Sequence, residues 1–156
     1  MGEPPPGEKL SSSLTFIYKF VFPTVWLGGF TLGTVTMFVT GKGPAPVFAL
    51  ATLFGLVVFA TTCFPLKTVH TTTGGLLVGN FSEEITVPYG QVHAVVERKW
   101  TNPRVITVWL KSPGRFGEKI VFIPHGVSFL GLIFWRDHPA TELIREGVAA
   151  AALRAG

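Results

Sequence analysis

Hydrophobic and polar positions follow three different rhythms along this chain. From Phe20 to Thr40 and from Pro46 to Leu66 every side chain is apolar or uncharged, and each run is 21 residues long. A hydrocarbon core of about 30 Å takes roughly 20 helical residues to cross, so both runs are expected to be transmembrane helices, 20–40 and 46–66. Two buried helices of a soluble protein are the alternative, but runs of this length without an amphipathic interruption are hard to place in so small a core. Gly41-Lys42-Gly43-Pro44-Ala45 separates the runs and is rich in helix breakers, so residues 14–66 are predicted to form an antiparallel hairpin with a tight turn. Pro23 falls near the start of the first span, where a missing donor costs least, and is expected to shape that end rather than break the helix. A cleaved signal peptide would be shorter in its apolar run and would end in small residues, which the first span does not.

The second rhythm is polar. Residues 1–13 contain Pro4-Pro5-Pro6 and Ser11-Ser12-Ser13 and almost no apolar side chain, which predicts a disordered tail. The third rhythm begins at Lys67, where strand-like alternation is broken by turn residues. Strands are predicted at Lys67–Thr73, Leu76–Phe81, Glu84–Val87, Val92–Lys99, Arg104–Lys111 and Lys119–Ile123. Trp100-Thr101-Asn102-Pro103 and Ser112-Pro113-Gly114-Arg115-Phe116-Gly117 carry hairpin chemistry between them. In Arg104–Lys111 one face presents Ile106, Val108 and Leu110 and the other Val105, Thr107 and Trp109, so both faces are expected to find cover. Asp137 and His138 as caps, Pro139 in a first turn, and Leu143, Ile144, Val148 and Leu153 at helical spacing predict a terminal helix laid over the sheet. The expected architecture is therefore a membrane helical hairpin (14–66) followed by a mainly-β, α+β domain (67–156): a small, strongly bent antiparallel sheet or partly open barrel capped by a C-terminal helix.

Composition sharpens this picture. The 156 residues are 47% hydrophobic and only 14% charged, with a mean hydropathy of +0.46, a surplus that the two spans absorb. Neither span holds an Asp, Glu, Arg or His, the residues that pumps and channels place at membrane depth, so the hairpin is expected to be an anchor and not a transporter. Lys9 and Lys19 precede the first span and Lys67 follows the second, against Lys42 alone in the turn. The positive-inside bias then puts both termini and the domain in the cytoplasm. The formal charge of +4 is too mild and dispersed for a nucleic-acid protein. A single cysteine, Cys63, excludes an internal disulfide and a cysteine-based zinc site. Palmitoylation of Cys63 is conceivable, but a small apolar core residue is the simpler reading.

Gly75-Leu76-Leu77-Val78-Gly79-Asn80-Phe81, Glu84-Ile85-Thr86-Val87-Pro88-Tyr89-Gly90-Gln91-Val92, Ile106-Thr107-Val108-Trp109-Leu110 and Ile120-Val121-Phe122-Ile123-Pro124 follow one another in this order. Over residues 67–154 the order resembles bacterial pleckstrin-homology-like (PH-like) domains, in which membrane hairpins commonly precede the domain. That resemblance implies a seven-stranded bent sheet closed by a helix, a location in the bacterial inner membrane, and binding or assembly rather than catalysis. It does not carry over the phosphoinositide site, because Thr71-Thr72-Thr73-Gly74-Gly75, the corresponding first turn, has no cation.

Three groups of residues are candidates for contact. Arg98, Lys99, Trp100 and Arg104 at one hairpin, with Lys111, Arg115, Phe116 and Lys119 at the next, combine cations with aromatic rings as a lipid or partner surface would, although Glu97 and Glu118 dilute both and a solvated hairpin is the simpler reading. Gly29 with Gly33, and Ala51 with Gly55, form small-residue strips for close helix packing, within the hairpin or against another membrane subunit. Phe129, Leu130, Ile133, Phe134 and Trp135 lie in the apolar segment 127–135, readable as a final strand, an interfacial segment or a subunit contact. Catalytic chemistry is not predicted. His70, His93, His125 and His138 lack ligand spacing, no phosphate loop or nucleophile motif occurs, and Glu83-Glu84 would point to opposite faces of a strand. The expectation is a non-catalytic, membrane-anchored binding module without metal or cofactor, acting as an accessory, scaffold or assembly subunit whose partners are lipids and another membrane protein. A peripheral module docking on anionic lipid is the alternative.

Overall fold

A computed structural model describes residues 7–98, 103–126 and 138–156. The chain divides into two compact units, one made of residues 16–65 and the other of residues 1–15 together with 66–156.

The first unit is the helical hairpin. A short helical turn α1 (Leu14–Phe16) and a π-helical turn at Ile17–Val21 lead into α2 (Phe22–Thr40). The wider π turn directly precedes Pro23, whose ring would otherwise press on the carbonyl four residues back, so the helix runs on through the proline. Gly41, at φ 65°, ends α2 in the left-handed conformation that only glycine adopts without cost. Helix α3 (Ala45–Thr62) starts with Pro46 in its first turn. It stops four residues short of the predicted span, because Pro65 cannot supply a helical N–H and disfavours helix at the residue before it. At 1.5 Å per residue, 19 and 18 residues reach about 28 and 27 Å, close to a hydrocarbon core. Both helices are long and apolar enough to cross a membrane, and only 6% and 17% of their most apolar windows is buried.

The second unit holds six strands among the described residues. Strands β1 (Thr68–Thr72), β2 (Gly75–Gly79) and β3 (Glu84–Pro88) form one antiparallel sheet in that order. Strands β4 (Val92–Arg98), β5 (Val105–Gly114) and β6 (Gly117–Phe122) form another. A 3-10 turn, Tyr89–Gln91, makes the corner between them, and α4 (Pro139–Ala155) closes the chain. The six predicted strands and the terminal helix are therefore present, in two three-stranded sheets where one strongly bent sheet or a partly open barrel was expected. The strict alternation places Leu76, Val78, Ile106, Val108, Ile120 and Phe122 in one buried core that both sheets share with Val87, Val92, Ala140 and Ile144. On the opposite face of β5, Thr107 is buried while Trp109 stays 38% exposed, so cover there is incomplete. Helix α4 packs through Leu143, Ile144, Val148 and Ala151. Leu153, expected on the same stripe, points outward. Gly147 faces the ring of Tyr89 so closely that a Cβ would come within 2.6 Å of it, which lets the helix settle on the corner between the sheets.

The N-terminal segment departs most from expectation. Residues 7–13 are not a solvated tail but a strap across the domain. Gly7 N donates to Thr71 O, Thr71 N to Glu8 O, and Leu10 N to Val69 O, at 2.8, 2.9 and 3.0 Å. Ser12 N then donates to Ile123 O and His125 N to Leu10 O, at 2.8 and 2.7 Å, so the same segment reaches from β1 to the residues just beyond β6. The Ser11 hydroxyl accepts from Val69 N at 3.0 Å. Leu10 joins the core at 3% exposure. The segment looks polar because its backbone does most of the binding: only Leu10 contributes an apolar side chain, while Ser11 and Ser12 are buried by their hydrogen bonds.

Candidate functional site

The β5–β6 hairpin turns in the two residues Arg115-Phe116, since Gly114 pairs with Gly117. Gly117, at φ 89°, takes the left-handed conformation directly after the turn, so that neither loop residue needs a positive φ. Each loop residue is held. Arg115 forms an ion pair of 2.8 Å with Glu83, and Phe116 packs against the core with the Lys67 ammonium 4.5 Å from its ring centre. Burial holds the Lys67 pKa below the ordinary lysine value, while Glu83 pulls the other way. The β2–β3 turn is thereby brought against the β5–β6 tip. That turn closes through Asn80 N to Glu83 O at 2.9 Å and presents Phe81 at φ 64° with 45% of its surface exposed. A bulky residue in the left-handed region costs of the order of 1–3 kcal/mol. Its conformation is imposed by the turn.

Of the predicted basic groups, Lys111, Arg115 and Lys119 are exposed on or beside this hairpin. Lys119 sits across the ladder from Trp109, its ammonium 5.8 Å from the indole. Lys99 and Trp100 lie outside the described residues, and Arg98 is exposed at the end of β4. Arg104 is no surface cation: its side chain is 11% exposed and donates to Glu97 at 3.2 Å. Of the group predicted at the β4–β5 hairpin, Arg98 is thus the one residue that is exposed among the described residues.

Glu97 does more than dilute a patch. Its side chain is 2% exposed. One oxygen accepts from Arg104, and the other from His138 N at 2.7 Å and Thr141 Oγ1 at 3.1 Å. It thus clasps the N-terminus of α4 to β4, where the helix dipole favours a carboxylate. His138, the predicted cap, accepts from Ala140 N through Nδ1 at 3.2 Å. Burial lowers the His138 pKa, against the pull of Glu97 and a hydrogen bond to the His125 backbone; Arg104 and His125 push it further down. These contacts hold the start of α4 against β4. The signal for Glu97 was a carboxylate in the same inward phase of β4 as Val95, three residues before a hairpin. Among the described residues no three His, Cys, Asp or Glu side chains are grouped to hold a metal.

In the hairpin unit the small residues seat rings. A Cβ on Gly33 would meet Phe48 at 3.1 Å and one on Gly55 would meet Trp26 Nε1 at 2.9 Å, whereas Gly29 has nothing within 4 Å. Ala51 is half-buried and Cys63 buried. The seam is an aromatic ladder, with Trp26 stacked on Phe30 at 4.7 Å and Phe22 edge-on to Phe59 at 5.5 Å. The strips therefore receive side chains and not the backbone of the facing helix, and the aromatic partners were not predicted because rings in an apolar run have no distinctive spacing. Phe129, Leu130, Ile133, Phe134 and Trp135 lie outside the described residues.

Compared with known protein families, characterised proteins and solved structures, the chain matches none.

Proposed function

We propose that this chain is a membrane-anchored, non-catalytic binding module of the bacterial inner membrane, whose PH-like domain serves a larger membrane complex as an accessory or assembly subunit. The observation that carries the reading is the exposure of the hairpin. Val25, Leu32, Phe38, Val39, Leu50 and Phe54 are each at least 66% exposed, which would be ruinous in water and is ordinary against acyl chains. A core helix of a soluble protein would be mostly buried instead. A cleaved signal sequence fits poorly too, because cleavage after the first span would strip Leu10 and the strap from the domain.

The strap also supports an even number of crossings. Residues 7–13 hydrogen-bond to β1, so both flanks of the hairpin share one side of the membrane, and the lysine bias makes that side the cytoplasm. Binding is favoured over catalysis because the buried polar network around Glu97 is spent on joining β4 to α4. The resemblance to PH-like domains points the same way; it implies seven strands in one bent sheet, of which six, in two sheets, are found with a terminal helix among the described residues.

Extraction in mild detergent, followed by native electrophoresis and mass spectrometry, tests the proposal. The expected result is a particle larger than the monomer that contains a second polypeptide at fixed stoichiometry. Recovery solely as a free monomer, in a detergent that preserves other inner-membrane complexes, would overturn it.

A further inference from the structure

The cluster at the β2–β3 turn and the β5–β6 tip is not used by the fold alone. Phe116 is anchored in the core, but Phe81 is half-exposed on a turn that holds it at positive φ. Arg115 keeps 70% of its side chain exposed while paired to Glu83, and Lys67 lies over Phe116. An exposed aromatic ring beside cations is the composition found at the boundary between acyl chains and headgroups. Chain connectivity supplies the second observation. Lys67 follows Thr62, the last residue of α3, by only five residues, a stretch that spans at most roughly 18 Å when fully extended. A cluster built around Lys67 is thus tethered within reach of the interface into which α3 emerges.

We propose that Phe81, Arg115, Phe116 and Lys67 form a docking face through which the domain rests on the anionic headgroup layer of the bilayer holding its own hairpin. The inference rests on the hairpin being a membrane anchor. Phe81, 45% exposed, enters the interfacial layer. Arg115 and Lys67 face the phosphates. The site differs from the first turn of the sheet, Thr72 to Gly75, which carries no cation. Docking would fix which surface of the domain a partner subunit meets.

The test uses the full chain with Cys63→Ala, reconstituted in nanodiscs of phosphatidylcholine with or without phosphatidylglycerol. One protein carries an environment-sensitive fluorophore at Ser82→Cys, an exposed position next to Phe81, and a second carries it at Leu50→Cys, 66% exposed on α3. Quenching of the Ser82 label by headgroup-nitroxide lipid is expected in phosphatidylglycerol discs, weakening with salt. Phe81→Ser with Arg115→Ser is expected to abolish it, with about a fivefold loss of docking for each cation removed. Unchanged hydrogen exchange in β5 ensures that the variant is folded. Quenching of the Leu50 label by acyl-chain nitroxide, with none at Ser82, overturns the docking face and leaves the anchor standing. No quenching at Leu50 overturns the anchor and this inference with it. Equal quenching at Ser82 with and without phosphatidylglycerol, or quenching that survives the double substitution, overturns the assignment to these residues.

Discussion

Replacing Leu10 by Ala tests whether the segment before the first span is structurally part of the domain after the second. Leu10 is 3% exposed and packs in the shared core. Truncating a buried leucine costs about 2–5 kcal/mol, against a total of about 5–15 kcal/mol for an ordinary domain. The loss should concentrate where the strap binds. Three domain amides, those of Val69, Thr71 and His125, have hydrogen-bond acceptors in Ser11, Glu8 and Leu10. Hydrogen exchange of the full chain in nanodiscs reads them directly, and the expected increase is roughly 30-fold to several thousand-fold. Leu153→Ala, at a side chain 85% exposed, should leave the same amides unchanged. If Leu10→Ala leaves these amides as slow as in the parent protein, the strap is not integral and the inference that both hairpin flanks share one side loses its support.

Other consequences can be measured on the same preparation. Glu97→Gln should destabilise the docking of α4 by about 3–5 kcal/mol in denaturant unfolding, since it leaves Arg104 nearly buried without a carboxylate, and Glu97→Gln with Arg104→Met should cost less than Glu97→Gln alone. His138 has a folded pKa below its unfolded value, so the unfolded chain binds the extra proton first; stability should be full above about pH 6.5 and fall as the pH drops from there through the folded pKa. His138→Asn, which keeps a capping acceptor, should flatten that dependence, and an unaltered pH profile would contradict the assignment. Gly55→Leu should weaken hairpin closure by about 1–3 kcal/mol, by forcing Trp26 aside, whereas Gly29→Leu should not; cysteine cross-linking between α2 and α3 distinguishes the two.

What was legible in the sequence follows from which forces leave a pattern. Continuous apolar runs and period-two alternation report side-chain burial, so the two long helices, all six strands and α4 appear in the sequence within a few residues of their ends. Gly41 and Pro139 mark helix limits for reasons of backbone conformation alone. Contacts made by the backbone leave no such mark, and the strap, whose donors and acceptors are main-chain groups around one leucine, reads as a polar tail. Burial of charge is equally hard to see. Arg104 and Glu97 look like solvated hairpin residues until β4 and α4 are brought together across 41 residues of sequence. Phe81 is an ordinary strand end in the sequence, and the Glu83–Arg115 pair that brings its turn to the neighbouring tip joins residues 32 positions apart.

Cysteine accessibility in intact spheroplasts tests the central claim, a two-span anchor with strap and domain on one side. With Cys63→Ala as background, single cysteines replace Lys9, Lys42 and Glu118, all exposed positions. A membrane-impermeant maleimide should label Lys42→Cys from outside and reach Lys9→Cys and Glu118→Cys only after lysis. Labelling of Lys9→Cys and Glu118→Cys from opposite sides, or of all three from the same side, would contradict the account.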